Sequence, residues 1–376
     1  MNDMTPKDVL LNPDGLADAL TRIFVAAGGS DDEAGIIAVN LVEANLAGHD
    51  SHGVVRTQRY CTWAEQGRVK FGQALTRVVD APAFALLDGN LGFGQSLGIE
   101  AVRIGIEKAR EQGVSLVGLR RSGHLGRIGE WAERACAEGL VSLHFVNAHH
   151  SMLVAPFGGA DRRMSTNPVC IGVPRRNGDQ TDDFLLDFAT ATVAEGKVLV
   201  AKRGGKPVPH GSLVDGDGQY TNDPDALYGP TPPGALPDAR KGDGALTAMG
   251  LHKGSGLSLA CEMLAGALTG SGTCGPGYEF HNGMLSIYID PERLDDGHGW
   301  AASASAYMDY VRACTPADSG NAVMVPGDPE RKRRADRRAN GLPLPGETWD
   351  SILAAGEKLG LSRDDLAAQA LWRSAT

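Results

Sequence analysis

Short apolar runs alternate with helical stretches in the first half of the chain, and this alternation restricts the fold more than any other feature. Three runs have the length of buried strands, and two stretches between them have helical periodicity and end at glycines, which commonly terminate helices. These segments occupy residues 83–87, 99–111, 114–119, 128–138 and 140–147. Strand–helix–strand–helix–strand at this spacing is typical of an α/β fold, so we predict an α/β domain over residues 76–301.

Both ends of the chain are predicted to be helical. Residues 16–27 and 31–48 carry apolar side chains at helical spacing, and the charged C-terminal part ends in further helical stretches. We therefore predict a helical domain of residues 1–75 that residues 302–376 complete. Residues 205–245 are rich in Gly, Pro, Asp and Thr with little periodicity, which predicts a loop or lid on the α/β domain.

The composition and the charge exclude several classes of protein. With 42% hydrophobic and 22% charged residues over 376 positions, the chain can bury a sizeable core and is neither disordered nor fibrous. A net charge of −10 disfavours a nucleic-acid binder, and no apolar run approaches the length of a membrane span. The six cysteines form no CxxC pair, so no zinc or redox site is expected. We expect a cytoplasmic protein without a metal, whose partners include neither nucleic acid nor membrane.

The glycine-rich element at residues 92–98 resembles a dinucleotide-binding fingerprint only in part. It follows a strand and opens a helix, but its spacing is GxGxxxG rather than GxGxxG. The next strand ends in Arg120 and Arg121, without the acid that meets a ribose in the standard motif. A glycine-rich turn between a strand and a helix is the simpler interpretation, and a standard Rossmann site is disfavoured.

Ser51, His52, Arg56 and Tyr60 form the most informative polar group. If this segment is helical, His52, Arg56 and Tyr60 are at positions i, i+4 and i+8 on one face. An arginine can bind a carboxylate through two parallel hydrogen bonds, and a histidine can give or take a proton. The group therefore suits a small carboxylate substrate, although ordinary polar residues on an exposed helix face explain the spacing equally well.

Other polar residues follow predicted strands and turns. His124 lies in a glycine-bounded turn directly after a strand, where α/β folds bind their ligands. Thr166 and Asn167 belong to a glycine-and-hydroxyl cluster that can bind a phosphate or a carboxamide. Asp187 lies inside an apolar strand that we predict to be buried on both faces, and a buried acid needs a partner. For His124, Thr166 and Asn167 the alternative is a structural role in a turn.

Six segments together resemble the type-2 malate/L-lactate dehydrogenase superfamily, which includes hydroxycarboxylate, ureidoglycolate and sulfolactate dehydrogenases and the reductases of cyclic imino acids and of diketogulonate. The segments are GHDSHGVVRTQRY at 48–60, SGHLGRIGEWAE at 122–133, APFGGADRRMSTNP at 155–168, LDFATATVAEGKV at 186–198, HKGSGLSLACEMLAG at 252–266 and VPGDPERKRR at 325–334. Six motifs in the same order make the resemblance specific along nearly the whole chain. It implies a nicotinamide-dependent oxidoreductase with a sheet domain unlike the Rossmann fold, usually a homodimer with its active site between domains.

The resemblance also implies roles for individual residues. His52 would exchange the proton, supported by Ser51 and Asp187 in a relay, but some members use the histidine that matches His124. Arg56 would hold the substrate carboxylate. The residues implied to bind the cofactor are His52, Ser122, Gly123, His124, Asn167, Asp187, Phe188, Ala189, Thr190, Ala191, His252, Lys253, Asn282, Gly327, Asp328, Glu330 and Arg331.

Residues and resemblance together predict reversible hydride transfer between NAD or NADP and a small 2-hydroxy or 2-oxo carboxylate, similar to malate or lactate. We place Tyr60 and Thr166 beside Arg56 in the substrate site, and NAD is slightly favoured. A reductase of a cyclic 2-imino acid and a catalytically silent nucleotide sensor are the alternatives. Several basic residues could meet the 2′-phosphate of NADP, although we otherwise expect the run at 331–334 to form a solvated helix. They are Arg120, Arg121, Arg127 and residues 331–334.

Overall fold

The computed structural model describes residues 8–177, 180–202, 207–231, 238–277, 279–318 and 320–372. Its strands are β1 (Asp8–Leu11), β2 (Thr76–Asp80), β3 (Phe84–Asp88), β4 (Val114–Ser122), β5 (Val141–Ala148), β6 (Val169–Val173), β7 (Arg176–Asn177), β8 (Gln180–Thr181), β9 (Phe184–Phe188), β10 (Leu213–Val214), β11 (Tyr220–Thr221), β12 (Ala245–Leu246), β13 (Asn282–Ile289) and β14 (Leu342–Pro345). Its helices are α1 (Pro13–Ala26), α2 (Asp31–Leu46), α3 (Thr57–Glu65), α4 (Gly94–Gln112), α5 (Gly129–Ala137), α6 (Glu195–Lys202), α7 (Asp225–Tyr228), α8 (His252–Cys261), α9 (Trp300–Arg312), α10 (Asp328–Asn340), α11 (Gly346–Lys358) and α12 (Arg363–Ala370). No described helix is long and apolar enough to cross a membrane.

A seven-stranded sheet lies at the centre of the protein, as the strand–helix alternation predicted. Its strand order is β2-β3-β4-β13-β5-β6-β9. Only β3 and β4 are parallel neighbours, because the crossover helix α4 connects them. Strand β13 comes from the far end of the domain and inserts between β4 and β5, antiparallel to both. The local sequence identified these strands, but it could not show that a distant strand separates two consecutive ones.

The two faces of the sheet have different surroundings. Tyr288 packs against Gly105 of α4, and Gly172 packs against Cys136 of α5, so these helices cover one face. On the opposite face, a row of apolar side chains runs across six strands in direct register. We call this row the open face; it consists of Phe84, Leu116, Ile287, Leu143, Ile171 and Leu186. Phe84 and Leu116 are 48% and 37% exposed and the other four residues are half-buried, so the β3–β4 end of this row has no covering layer.

A separate hydrophobic core joins the two ends of the chain. Buried residues of α1 and α2 pack against those of α11 and α12, and β1 pairs with β14. The apolar periodicity of residues 16–27 and 31–48 is satisfied here, because one side of each helix faces this core. The domain limits at residues 75 and 302 stay a prediction.

The expectation that residues 205–245 form a loop with little structure is wrong for the part that the structure describes. Strands β10, β11 and β12 form a small sheet, and Leu213, Leu227 and Tyr228 are buried in a core of their own. Arg162 holds this unit together by donating hydrogen bonds to the carbonyl oxygens of Leu227, Ala239, Gly242 and Gly244. Two-residue strands are too short to produce a period in the sequence, which explains the missed prediction. The role of this segment as a lid stays a prediction.

The glycines of the 92–98 element allow two backbone segments to pack together. The Gly123 N–H donates to the Gly92 carbonyl oxygen at 2.8 Å. A Cβ atom on Gly94 would lie 2.6 Å from the Gly123 carbonyl oxygen and closer still to that of His124. The start of α4 is therefore covered by the turn that carries His124, which supports the interpretation of this element as a packing turn.

We expect Gly94→Ala to lower the denaturation midpoint and to reduce the free energy of unfolding by roughly 1–3 kcal/mol. The added methyl group overlaps backbone atoms, which cannot shift without disturbing the turn. Gly35→Ala is the matched control, since nothing lies within 4 Å of the added Cβ and the residue is inside α2. The free energy of unfolding of that control should rise by about 0.5–1 kcal/mol, because alanine has a higher helix propensity than glycine. Equal urea midpoints for the two variants would contradict the close packing at Gly94.

Candidate active site

The segment that carries His52, Arg56 and Tyr60 is not the continuous helix that would place them on one face. Residues 50–52 and 54–56 form two separate 3₁₀ turns, and α3 starts only at Thr57. Gly53 separates the turns because the chain passes very close to Asn45 there, and a Cβ would lie 2.5 Å from the Asn45 Cγ atom. The Asn45 side-chain oxygen accepts a hydrogen bond from the Val54 N–H at 2.7 Å, which holds this break in place.

The break nevertheless brings the predicted residues together around a histidine. Ser51 Oγ lies 3.0 Å from Nδ1 of His52, and Arg56 donates from Nε to the Ser51 carbonyl oxygen at 2.6 Å. Tyr60 lies on the buried side of α3, and its hydroxyl is 2.6 Å from Nδ1 of His124. The rings of His52 and His124 are nearly parallel, with their centroids 5.6 Å apart. Two histidines and one arginine thus face the same small region.

The turn that carries His124 is held by contacts from distant parts of the chain. Asn282 accepts a hydrogen bond from the Leu125 N–H at 3.0 Å and donates to the Asn147 carbonyl oxygen at 2.8 Å. Phe280 stacks on Trp63 with centroids 5.0 Å apart and lies 6.2 Å from the His124 ring. Asn282 is predicted to bind the cofactor, and the structure uses both ends of its amide to support this turn.

Both histidines are held in the neutral form. Desolvation, followed by the positive charge of Arg56, lowers the pKa of His52 to about 3. Desolvation and the charge of Arg56 also hold the pKa of His124 well below its usual value. At neutral pH each ring therefore has one nitrogen that can accept a proton and one that can donate a hydrogen bond.

Arg56 is a half-buried cation without a counter-ion, because no ion pair joins it to any carboxylate among the residues that the structure describes. Burial lowers its pKa, and a guanidinium that loses water without gaining a carboxylate is unfavourable unless a ligand supplies one. Glu195 lies on the same side at longer range, with Gly196 next to Ser51, and the hydroxyl of Tyr228 donates to its carboxylate. The sequence analysis predicted no role for Glu195 or Tyr228. Glu195 belongs to the family segment at 186–198 without being singled out, and Tyr228 lies in the segment expected to be a loop.

The structure places Asp187 beside Arg127 rather than in contact with His52. Its carboxylate accepts a hydrogen bond from the Gly129 N–H at 2.7 Å, at the start of α5, and it faces the buried cation of Arg127. Arg127 in turn is one of the charges that lower the pKa of His52. The neighbouring Leu186 is on the half-exposed open face, so the strand is not buried on both faces as predicted. A relay through Asp187 would therefore act on His52 electrostatically, through Arg127.

We expect Asp187→Asn to lower stability by roughly 1–3 kcal/mol, because it removes a charge-assisted hydrogen bond at a helix start and the partner of a buried cation. It should also move the acidic limb of the rate profile to lower pH, since an uncompensated Arg127 depresses the pKa of His52 further. Denaturation midpoints and pH–rate profiles test both effects, with Asp350→Asn on the surface as control. Lower stability with an unshifted profile would limit Asp187 to a structural role.

The remaining cofactor-binding candidates fall into two groups on either side of Asp187. Thr190, at the end of β9, donates to the Thr166 carbonyl oxygen from both its N–H and its hydroxyl, and Ala191 bridges to Ala248 ahead of α8. The side-chain nitrogen of Asn167 donates into α8, and its oxygen is buried without a partner among the described residues. Phe188 and Ala189 are half-buried between these contacts, whereas His252 and Lys253 are exposed at the start of α8.

The second group lies at the start of α10. Gly327 approaches the Asp183 carbonyl oxygen, to which Arg331 donates at 2.7 Å, and Arg331 also pairs with Asp328. Glu330 lies 3.4 Å from the His49 ring nitrogen, which connects this loop to the segment of His52. The structure thus gathers the predicted loop beside the candidate site and uses Asp328 and Arg331 in ion pairs of their own.

Helix α10 is only in part the solvated helix that was predicted. Lys332 and Arg333 are exposed, whereas Arg337 is buried with its guanidinium 2.6 Å from Asp50. Arg334 pairs with Glu43 of α2 and with Glu133 of α5. The basic run therefore joins α10 to the rest of the protein, and its periodicity alone could not show where its partners lie.

The sequence and the structure are both similar to those of known dehydrogenases. The family model for malate/L-lactate dehydrogenase matches residues 11–353. Hydroxycarboxylate dehydrogenase B of Escherichia coli is 38% identical over 358 residues, which cover 93% of this chain and 94% of that protein. The structure of sulfolactate dehydrogenase from Methanocaldococcus jannaschii superposes with a TM-score of 0.82 at 30% identity, covering 95% of this chain and 99% of that one.

A third relative has a different substrate. The structure of delta1-piperideine-2-carboxylate reductase from Pseudomonas syringae superposes with a TM-score of 0.77 at 29% identity, covering 92% of this chain and 99% of that one. The matches extend over nearly the whole chain, as the six motifs predicted. This chain belongs to the malate/L-lactate dehydrogenase family.

Proposed function

We propose that the protein is a nicotinamide-dependent dehydrogenase that interconverts small 2-hydroxy and 2-oxo carboxylates. The observation that carries the proposal is Arg56, a half-buried cation beside two neutral histidines that pairs with no carboxylate in the described chain. A substrate carboxylate would supply the missing counter-ion through two parallel hydrogen bonds. The reacting carbon, one bond away, would then lie next to the histidines.

The residues on this side of the sheet suit a nicotinamide cofactor. Ser122 Oγ and Asn167 Oδ1 are buried without hydrogen-bond partners among the described residues, so each can bond a carboxamide or a ribose hydroxyl. Both belong to segments predicted to bind the cofactor. When bound, the cofactor supplies or accepts the hydride. We propose that it binds without a Rossmann fingerprint, because the glycine-rich turn at 92–98 is filled by the protein's own backbone.

His52 and Arg56 have distinct roles in this proposal. Arg56 orients the carboxylate, which fixes the reacting carbon and removes much of the entropic cost of the reaction. Neutral His52 accepts the hydroxyl proton during oxidation and returns it during reduction. Ser51 supports the other ring nitrogen of His52 at 3.0 Å. The polar arrangement argues against a silent nucleotide sensor, which needs neither a proton acceptor nor a site for a carboxylate.

A cyclic 2-imino acid is the second candidate substrate, and Glu195 favours it. Its carboxylate lies on the same side of the site as Arg56 and accepts a hydrogen bond from Tyr228. An acid in this position can stabilise a protonated imine nitrogen, while Arg56 holds the carboxylate. A second carboxylate on the substrate, as in malate, would be repelled by the same group.

A panel of substrates tests the proposed function. We expect reduced-nicotinamide absorbance to change with at least one 2-hydroxy or 2-oxo monocarboxylate, or with delta1-piperideine-2-carboxylate, and to change less with dicarboxylates. Turnover with a cyclic imine alone would favour the second candidate. Cofactor binding without turnover on any member of the panel would contradict the dehydrogenase and favour a nucleotide sensor.

We propose NAD rather than NADP as the cofactor, because most of the arginines that could meet a 2′-phosphate already have carboxylate partners. Arg120 and Arg121 both pair with Asp88, at 2.9 and 2.8 Å. Arg127 pairs with Glu133, and Arg331 with Asp328. Titration of the protein with NADH and NADPH, followed by nicotinamide fluorescence, should show tighter binding of NADH. Tighter binding of NADPH would contradict this choice.

We propose that the protein is a cytoplasmic homodimer. The six free cysteines support a reducing compartment. The open face supports a second copy as partner, because a row of apolar side chains that crosses six strands in register can pack against its own symmetry mate. Sedimentation should give the mass of a dimer, and Leu116→Asp should shift it toward the monomer. A monomeric wild-type protein would contradict the dimer.

A further inference from the structure

Three buried side chains form a hydrogen-bonded chain behind the candidate site. Gln95, in the first turn of α4, donates from Nε2 to the hydroxyl oxygen of Tyr60 at 2.9 Å. That hydroxyl lies 2.6 Å from Nδ1 of His124. Gln95 is 0% and Tyr60 2% exposed, so water does not compete for these bonds. No motif singled out Gln95, because its significance depends on the distant residues that it meets.

The direction of the bonds follows from the orientation of the Gln95 amide, whose nitrogen faces Tyr60. An amide nitrogen can only donate, so the Tyr60 oxygen is the acceptor of the first bond. The single phenol proton is then free to point at His124, whose Nδ1 must accept it. In a neutral imidazole the remaining proton is on the other nitrogen, so His124 carries its proton on Nε2. Burial raises the pKa of Tyr60 to about 12, which keeps its proton in place.

His52 is held differently. Its Nδ1 faces only Ser51 Oγ, and that hydroxyl has no other hydrogen bond among the described residues, so it can accept an Nδ1–H as readily as it can donate. A second proton on His52 Nε2 breaks no bond. A second proton on His124 would have to reach Nδ1 and displace the Tyr60 proton. The charges facing His124 come from Arg56 and Arg59, and both oppose its protonation, as a protonated His52 would.

We propose that Gln95 and Tyr60 are positioning residues that hold His124 as the neutral Nε2–H tautomer, so that His124 donates a hydrogen bond to the substrate oxygen and His52 exchanges the proton. This inference rests on the proposed dehydrogenase. During oxidation, the substrate O–H bond breaks and its proton moves to Nε2 of His52. The C–H bond at the carbon that bears this oxygen also breaks, its hydride would pass to the oxidised nicotinamide, and the C–O bond becomes C=O. His124 keeps its proton throughout and stabilises the negative charge that develops on the oxygen. The two competing histidines thereby receive different roles.

The tautomer can be measured directly by nitrogen NMR on the full chain labelled with ¹⁵N-histidine, with the His124 signals assigned by their loss in His124→Gln. We expect wild-type His124 to show a protonated Nε2 and an unprotonated Nδ1 throughout the neutral pH range. Tyr60→Phe should release a mixture of tautomers and lower kcat by roughly fivefold to tenfold, the effect of losing one buried hydrogen bond. Tyr288→Phe is the control, since it removes a buried phenol hydroxyl that packs against α4 far from His124.

A second variant, Gln95→Glu, reverses the direction of the two hydrogen bonds and keeps nearly the same side-chain shape. Once the carboxyl group introduced by Gln95→Glu ionises, it can only accept, so the Tyr60 proton turns toward it and Nδ1 of His124 becomes the donor. We expect the tautomer to switch with pH in this variant, and the pH profile of kcat to gain an ionisation that Tyr288→Phe lacks.

The outcomes separate this inference from the proposed function. A wild-type His124 with its proton on Nδ1, or one that titrates near neutrality, would overturn the tautomer while the dehydrogenase stands. The expected tautomer together with no turnover on any carboxylate would overturn the proposed function and the roles that depend on it. Unchanged NMR signals in both Tyr60→Phe and Gln95→Glu would overturn the positioning role of the chain.

Discussion

Replacing His52 by alanine should lower kcat by about 10²–10⁴-fold, the usual cost of removing a positioned acid–base group. The affinity for the cofactor should change far less, because His52 is only one of many residues proposed to bind it. The physical reason is the position of its ring: Nδ1 is supported by Ser51 at 3.0 Å, and Nε2 is left to meet the substrate oxygen.

Steady-state kinetics and cofactor titration on the same preparation measure this effect. His298→Ala is the matched control, because His298 is exposed and bonded to Asp296 away from the site. A His52→Ala enzyme near the wild-type rate, together with an inactive His124→Ala enzyme, would transfer the proton role to His124.

The pH dependence should differ between the free and the substrate-bound enzyme. The charge of Arg56 is the second-largest cause, after desolvation, of the low pKa of His52, which is about 3 without substrate. A bound carboxylate neutralises this charge, so binding must raise the pKa of His52. The ionisation seen in kcat should therefore lie at higher pH than the one seen in kcat/KM. Identical profiles would show that the carboxylate does not bind at Arg56.

Arg56→Lys should reduce kcat/KM by roughly 10²–10³-fold, with KM raised and kcat lowered, although the positive charge is retained. A lysine is a point charge on a flexible stem and cannot form the two parallel hydrogen bonds that orient a carboxylate. Losing one partner of a buried, hydrogen-bonded charge pair costs about 2–5 kcal/mol, which covers this range.

The kinetic constants must be compared over several carboxylates, with Arg22→Lys on the surface of α1 as control. An unchanged KM for every carboxylate would remove Arg56 from the substrate site. A lower kcat with an unchanged KM would indicate that Arg56 acts only after binding.

Much of the secondary structure was predictable because it depends on local spacing. Helices α1, α2, α4 and α5 show apolar periodicity that survives in the structure, and the strands between them are short apolar runs. Strand order was not predictable, since β13 pairs with β4 and β5 from more than a hundred residues away. The segment at 205–245 was missed because its strands are too short to carry a period.

The candidate site shows the same division. His52, Arg56 and His124 were identified because their residue types carry chemistry and recur in the family motifs. No continuous helix aligns His52, Arg56 and Tyr60. The segment is interrupted at Gly53, because Asn45 occupies the space that a side chain would need. Glu195, Tyr228 and Gln95 carried no signal of their own, since each matters only through residues that are distant in sequence.

The sequence by itself determined the family, the helical ends, the strand-forming runs and the chemical groups available to the site, because these follow from residue type and local spacing. Only the tertiary structure decided which charges are paired, which faces are covered and which residues contact the His124 ring. Those properties depend on desolvation and on contacts between distant residues. Folding brings Asp50 to Arg337, so that arginine is already paired. It brings no described carboxylate to Arg56, which therefore stays available to a ligand.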